Sequence, residues 1–493
     1  MGSPAMPSKA CQPCRVKRRK CDKKLPGCSQ CRRAKVVCLG YRDDFSSRLR
    51  DQTVSTAHKF QTLDKTSGSV SPMAMSPVMR SRSASDMQHA QTTPDALVVH
   101  KLSASPEDVA LGYFLNFYAP ATQFDYLSEA STVFLCPGPL RSALLAPSLL
   151  LLSQNFQSTA LQALAQDNYA KALRLTSSVL SGQVLVTCDS TLLAVLLLSV
   201  YEALAFQGRQ VPSAWSAHIR GAFQLLQMRG ETQFDSSLGR NLFLHASCNI
   251  RIDCTQRGMK APPALGALQS SLVRNMDPRD PNIRLGAFLD QFANLRSRIC
   301  DFPPLSRTHK ALELDKELVT LLDDLWRLVP FISVDVATLP GQIDTYEDWV
   351  HRYTSQRMLK LWNSVRILRL FVNEHIHHYL TAQHTIEKFQ TEEWTQARES
   401  AMAISAKMIS DVLASVPLCL ESSMSPMVSA RSLVYPLTGV AVSKLGSPRA
   451  KRFAHNRLAF IGSEYGLIQA AESAHMVSQT RDMEDWIHLL LVS

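Results

Sequence analysis

Tryptophan is missing from the first 214 residues, and between positions 51 and 105 Phe60 is the only aromatic side chain. Ser, Thr and Pro fill 19 of those 55 positions, so the segment has little to bury and reads as a flexible linker. The opening MGSPAMPSKA lacks the apolar run of a secretory signal. The apolar run from Thr191 to Tyr201, bounded by Asp189 and Glu202, is too short for a bilayer and reads as a buried core helix. Neither export nor a membrane span is expected. Enzyme signatures are missing too: there is no G-x-S-x-G, P-loop, dinucleotide-binding glycine motif or H-E-x-x-H, so no catalytic residue is assigned and no enzyme is expected. In the body only Glu374-His375-Ile376-His377-His378 invites a metal by helical spacing, and without a further ligand it reads as an exposed helix end.

What the chain does have is a cysteine pattern near its start. Cys11, Cys14, Cys21, Cys28, Cys31 and Cys38 carry C-x2-C-x6-C twice, each ligand of the first half reappearing 17 residues later. Thiolates bind zinc tetrahedrally, so two separate ions need eight sulfur bonds where six sulfurs are present. Two cysteines must bridge, and the repeat points to Cys11 and Cys28, which open the halves. A disulfide framework suits a small secreted domain rather than this chain, and a RING- or LIM-type site needs eight ligands, with His58 the nearest extra one and too distant.

The run ACQPCRVKRRKCDKKLPGCSQCRRAKVVC, continued by CLGYRDDFSSRLR, resembles the fungal binuclear zinc-cluster transcription factors, with every interval inside that pattern. The resemblance implies two zinc ions per chain, a short helix after each CxxC, and the end of the first helix entering the DNA major groove. Pro26 stands where the family has its loop proline. More loosely, W-x-x-H-x-x-G-A from Trp215 to Ala222 is similar to the helical regulatory region that accompanies such clusters.

Charge supports the same partner. Residues 1–50 hold fourteen Lys and Arg against Asp22, Asp43 and Asp44, which equals the +11 of the whole chain and leaves everything beyond residue 50 neutral. A compact module of that density suits a phosphate backbone. The first half reads RVKRRK where the second reads RRAKVV, so the first half is expected to do the reading. By resemblance, Lys17 and Arg18 occupy base-contacting positions whose usual target is a CGG triplet, in keeping with Lys or Arg pairing to guanine O6 and N7. Arg15, Lys20 and Lys23 are expected on phosphates, where they position without reading sequence.

Three regions are therefore expected: a zinc-cluster domain at 1–45, a disordered Ser/Thr/Pro-rich linker at 46–105, and a large all-α regulatory domain at 106–493. The 388 residues of the last are ample for a large core and two lobes. Trp215, Ile219, Ala222 and Leu226 share one helix face, closed by Gly230, and Leu361, Val365, Leu368 and Val372 share another. Would-be heptad positions Phe45, Leu49, Gln52, Thr56, Lys59 and Leu63 are half polar, so any dimer is expected through the helical body rather than a coiled coil. Ser71, Ser76, Ser83, Ser85, Thr93 and Ser105 are candidate phosphosites. Acidic residues alternate with large apolar ones in Asp315 to Trp326 and in RDMEDWIHLLLVS, a composition shared by activation segments and by ordinary core-packed helices, the latter being the preferred reading. The cysteines from Cys136 to Cys419 show no metal spacing and are expected as reduced, mostly buried thiols.

The expected function is a nuclear, sequence-specific regulator of RNA polymerase II genes. Its partners are duplex DNA with CGG-like half-sites and the transcription machinery, with no membrane. The resemblance implies a regulator of either a biosynthetic gene cluster or nutrient catabolism, with the former as the expected target. The rival is a zinc-dependent nuclear scaffold with only non-specific DNA affinity.

Overall fold

The computed structural model describes residues 14, 20–22, 28–34, 36, 38, 105–129, 138–182, 185–205, 213–297, 303–341, 343–382, 390–421 and 425–476. Two compact units divide the chain, 1–98 and 99–493. In the first, the described residues include one short helix, α1 (Ser29–Arg33).

The second unit is helical. Its first helix, α2 (Pro106–Tyr113), starts where Ser105-Pro106-Glu107-Asp108 dictates: the Ser105 hydroxyl accepts from the Asp108 amide at 3.1 Å, proline takes the first turn, and two acids face the positive helix end. Ser105 Oγ also donates to the Asp108 carboxylate at 2.8 Å. This candidate phosphosite therefore serves as a helix cap, a role worth about 1 kcal/mol. The helix then widens into a π turn, Phe114–Tyr118, in which Phe114 and Tyr118 are buried, and a last helical turn, Ala119–Ala121, carries Pro120 and stops at Thr122.

Helices α3 (Leu140–Phe156), α4 (Thr159–Ser181), α5 (Asp189–Ala205), α6 (Ser213–Arg229), α7 (Ser237–Gln256) and α8 (Pro263–Leu272) follow. Together with α2 they enclose a first core, reaching to Ile283 and including Val428 from far along the chain. As expected, α5 is its centre, buried from Ser190 to Tyr201 on every face and packed against α3, α4 and α6. The α6 stripe is likewise inside, with Trp215, Ile219, Ala222 and Leu226 all at 1% exposure or less. Gly230 ends α6 at φ +59°, a left-handed conformation that other residues adopt only under strain.

A second core takes over at Leu285, within α9 (Pro281–Ser297), and runs through α10 (Pro304–Leu328), α11 (Gln356–Ala382), α12 (Glu392–Ala414), α13 (Val416–Glu421), α14 (Pro426–Val442), α15 (Pro448–Glu464) and α16 (Ile468–Met476). Val365, Leu368 and Val372 of α11 are buried, and Leu361 packs at the edge. In α10, Leu314, Leu318, Leu321 and Leu325 are buried and Asp315 holds Arg369 at 2.9 Å, so Asp315 to Trp326 is a packed amphipathic helix. The stretch Glu392–Leu420 has the length and composition of a membrane span, but it opens on two glutamates and buries its apolar face in this core. The acidic C-terminal stretch lies outside the described residues.

Two details correct the reading of the sequence. A two-stranded antiparallel sheet, β1 (Ile332–Asp335) with β2 (Trp349–Arg352), interrupts the otherwise helical body, Ile332 facing Arg352 and Asp335 facing Trp349. And Glu374 is not at an exposed helix end: it is 8% exposed within α11, accepts from the Ser443 hydroxyl and from the Leu445 amide at 3.3 Å, and so fastens the end of α14. His375 Nδ1 bonds the Phe371 carbonyl at 2.9 Å, so the Glu-His cluster is used structurally.

Buried charges are mostly answered in pairs. Arg251, 1% exposed, donates to both Asp290 oxygens at 2.8 Å and to Gln269, tying α7, α8 and α9 together. Arg229 pairs with Asp189 and donates to the Thr187 carbonyl at 2.8 Å. Between the cores, Tyr113 meets Ser425 at 2.7 Å, Arg431 meets Gln154 at 2.9 Å, and Arg357 pairs with Asp125. Among the described body cysteines Cys188, Cys248, Cys254 and Cys419 none forms a disulfide, and burial pushes the Cys254 and Cys419 thiols up to about 12.

One close approach yields a test of the packing. A Cβ on Gly239 would lie 1.9 Å from the Gln233 carbonyl oxygen, a backbone atom that cannot step aside, whereas a Cβ on Gly221 meets nothing within 4 Å. Gly239→Ala should lower body stability by about 3 kcal/mol, while Gly221→Ala, mid-helix, should be neutral or stabilising by about 0.5–1 kcal/mol. Paired thermal melts separate them; equal melting temperatures would contradict the packing around residue 233.

Candidate metal centre and DNA-reading module

The cysteine module begins from backbone geometry at Cys28. Its φ of −67° and ψ of 148° are extended, and its sulfur accepts from the Cys31 amide at 3.3 Å, which starts α1. The C-x2-C spacing thereby places both sulfurs on one side of the helix start. Asp22 Oδ1 accepts from the Ser29 amide at 2.9 Å, so a residue beside Cys21 in the first half also caps the helix of the second. In the sequence Asp22 counts only as a charge; an acid placed directly after a ligand cysteine is the signal of its role.

Cys14, Cys28 and Cys31 are 3%, 0% and 2% exposed, with Cys21 and Cys38 partly buried against them. Five of the six pattern cysteines are thus brought together, and Cys11 lies outside the described residues. The sulfurs of Cys14, Cys28 and Cys31 lie within 4.8 Å of one another, and a second group joins Cys21 and Asp22 to the same Cys28. Cys28 therefore belongs to both groups.

The spacing fits zinc. Cys14 and Cys28 sulfurs are 3.6 Å apart, far beyond the roughly 2.05 Å of a disulfide. Two thiolates on one tetrahedral zinc, with bonds of about 2.3 Å, stand about 3.8 Å apart. The donors are soft thiolates, buried and adjacent, the chemistry zinc prefers.

Of the basic residues expected to meet DNA, Lys20 is described and is exposed, as are Arg32 and Arg33 in the last turn of α1. Arg15, Lys17, Arg18 and Lys23 lie outside the described residues.

Residues 9–48 match the family model of the fungal Zn(2)-Cys(6) binuclear cluster domain. Residues 98–257, which take in α2 to α7, match the fungal specific transcription factor domain. Both are transcription-factor domains rather than enzymes. No curated protein and no solved structure matches the chain. A cysteine module whose donors fit two zinc ions, joined to a helical body of this kind, makes the chain a fungal transcription regulator carrying a Zn(2)-Cys(6) binuclear cluster and a fungal specific transcription factor domain.

Proposed function

We propose that the protein is a nuclear, sequence-specific regulator of RNA polymerase II genes that reads CGG-like half-sites. The observation that carries the reading is the shared position of Cys28: a sulfur common to two donor groups is what six thiolates need to hold two ions. On this reading Cys11, Cys14, Cys21, Cys28, Cys31 and Cys38 are the ligands, with Cys11 as the second bridge. The zinc supplies fold rather than chemistry, and the cluster presents RVKRRK to the major groove.

Within that run Lys17 and Arg18 would meet guanine edges, while Arg15, Lys20 and Lys23 would hold phosphates; the exposure of Lys20 supports its part. The working boundaries are 1–45 for the reader, 46–105 for the linker and 106–493 for the regulatory body, with any pairing of chains through the body. A biosynthetic gene cluster as the target is supported only by the shared architecture.

Reading and positioning are separable by mutation. Lys17→Ala or Arg18→Ala should cost about 1–3 kcal/mol at the preferred site and relax base preference. Lys23→Ala should weaken all sequences alike and reduce the salt slope by about one unit. Selection from random DNA followed by titrations over a salt series measures both. Equal effects of all three variants on specific and random DNA would overturn the base-reading assignment, and a pool with no enriched site would favour a zinc-dependent scaffold.

A further inference from the structure

The two halves of the cysteine repeat are tied by more than sulfur. Asp22 and Ser29 stand seven positions apart, on either side of the stretch Lys23 to Gly27 that joins the halves. Asp22 Oδ1 accepts from the Ser29 amide at 2.9 Å, and a carboxylate oxygen of Asp22 lies within 4.8 Å of the Cys21 and Cys28 sulfurs. Ser29 opens α1, and its N–H is one of the four that a helix start leaves without a partner inside the helix. The Cys28 sulfur, at the cap position, accepts from the Cys31 amide instead. Asp22 thus answers a donor that the cap residue leaves over.

The sequence shows what this bond costs. Asp22 is the sole acid between Cys11 and Cys38, among ten Lys and Arg, and it is exposed. In a module that meets a polyanion, a carboxylate there opposes binding. The repeat does not demand it either. A shift of 17 residues puts Leu39 at the place of Asp22 and Gln12 at the place of Ser29, and a leucine side chain accepts nothing. The tie therefore runs one way, from the end of the first half to the helix of the second. On one side it holds the chain that carries Lys20 and Cys21; on the other it holds α1, whose last turn carries the exposed Arg32 and Arg33.

We propose that Asp22 is a positioning residue for DNA reading: it fixes the two halves at one angle, so that cations of both meet the phosphates of a single site while the first half reads bases. The inference rests on the DNA-reading function proposed above. A sulfur shared by two donor groups is by itself a pivot, whereas a carboxylate bound to an amide beside it is a second point of attachment and stops the rotation.

The test uses the full-length zinc-loaded protein. Asp22→Ala and Asp22→Asn both remove a negative charge, but asparagine keeps an oxygen for the Ser29 amide. Both should raise affinity for random DNA by a similar factor, about two- to five-fold at low salt. Only Asp22→Ala should lower the ratio of selected-site to random-DNA affinity, by about ten-fold or more. Ser29→Pro removes the N–H at a helix position that favours proline, after a Cys28 whose backbone is already extended, so it should match Asp22→Ala. In the double variant the loss should be no larger than in either single one. Native mass spectrometry should find two zinc ions in every variant, and a chelator should withdraw them about five-fold faster from Asp22→Ala and Ser29→Pro than from Asp22→Asn. Equal behaviour of the alanine and asparagine variants, a Ser29→Pro protein like the wild type, or additive losses in the double variant would each overturn the role of Asp22 alone. Zinc missing from Asp22→Ala would make it a metal or folding residue instead. A DNA pool without a preferred site would overturn the DNA-reading function and this use of Asp22 with it, even where release rates still separate the variants.

Discussion

Chelation of zinc is expected to unfold the cysteine module and lower specific DNA affinity at least 100-fold while the thermal transition of the helical body stays where it is. The buried centre of the module is Cys14, Cys28 and Cys31 themselves, and α1 is five residues long, too short to persist alone. Little but metal holds it, so the binding free energy, about 10–16 kcal/mol for structural zinc, is in effect the folding free energy. Native mass spectrometry should count two zinc ions per chain. Because Cys28 belongs to both donor groups, Cys28→Ser should release both ions, whereas Cys38→Ser, at the rim, should lose fewer. One ion per chain, or DNA recognition that survives a strong chelator, would sink the binuclear reading.

The body itself should weaken steeply in mild acid. Burial draws His245 and His351 down to about 3 and His218 to about 4, with the Lys360 and Arg357 charges adding to the effect at His245 and those of Arg366 and Lys407 at His351. The Tyr126 hydroxyl lies 2.9 Å from His245 Nδ1, a hydrogen bond that the neutral ring can make in either tautomer. In the unfolded chain these rings take protons near pH 6.5, so below that pH the unfolded state binds more protons than the native one. Stability is therefore full above pH 6.5 and is lost as pH falls toward 4, by at most about 1.4 kcal/mol per pH unit for each ring. Asp125, Glu202, Asp253 and Glu374, raised chiefly by burial, act in the opposite sense, being native-stabilising when protonated, but their shifts are smaller. The melting temperature of the body should drop between pH 7 and 5, and His245→Phe or His351→Phe should each flatten the slope by about a third. A melting temperature constant over that range would show that these rings are not held neutral.

Much of this molecule is written locally. The cysteine intervals announce the metal module, the spacing of Trp215, Ile219, Ala222 and Leu226 announces a buried face, and Gly230 marks its end because a left-handed residue is a backbone requirement visible in one position. Four-residue strands such as Ile332–Asp335 give too little periodicity to compete with the helices around them, so the sheet goes unannounced. Partnerships across long separations are equally silent: nothing near Arg251 points to Asp290, nor near Glu374 to Ser443. A pocket lined by Gln123, Cys248 and Lys360 is the extreme case, since these residues come from three separate parts of the chain and are brought together only by folding. Asp22 lies between these cases, a local acid whose role depends on the other half of the repeat.

The first core also says something about inheritance. The matched regulatory family stops at residue 257, yet that core is completed by Leu265, Leu272 and Ile283 downstream and by Val428 from α14. Those side chains are 4% exposed or less, and their absence would open its interior to water. The stretch by which relatives recognise one another is thus smaller than the stretch that must fold together. A body spliced at residue 257 would have to bring together a matched stretch and a downstream stretch whose Leu265, Leu272, Ile283 and Val428 still fit its core.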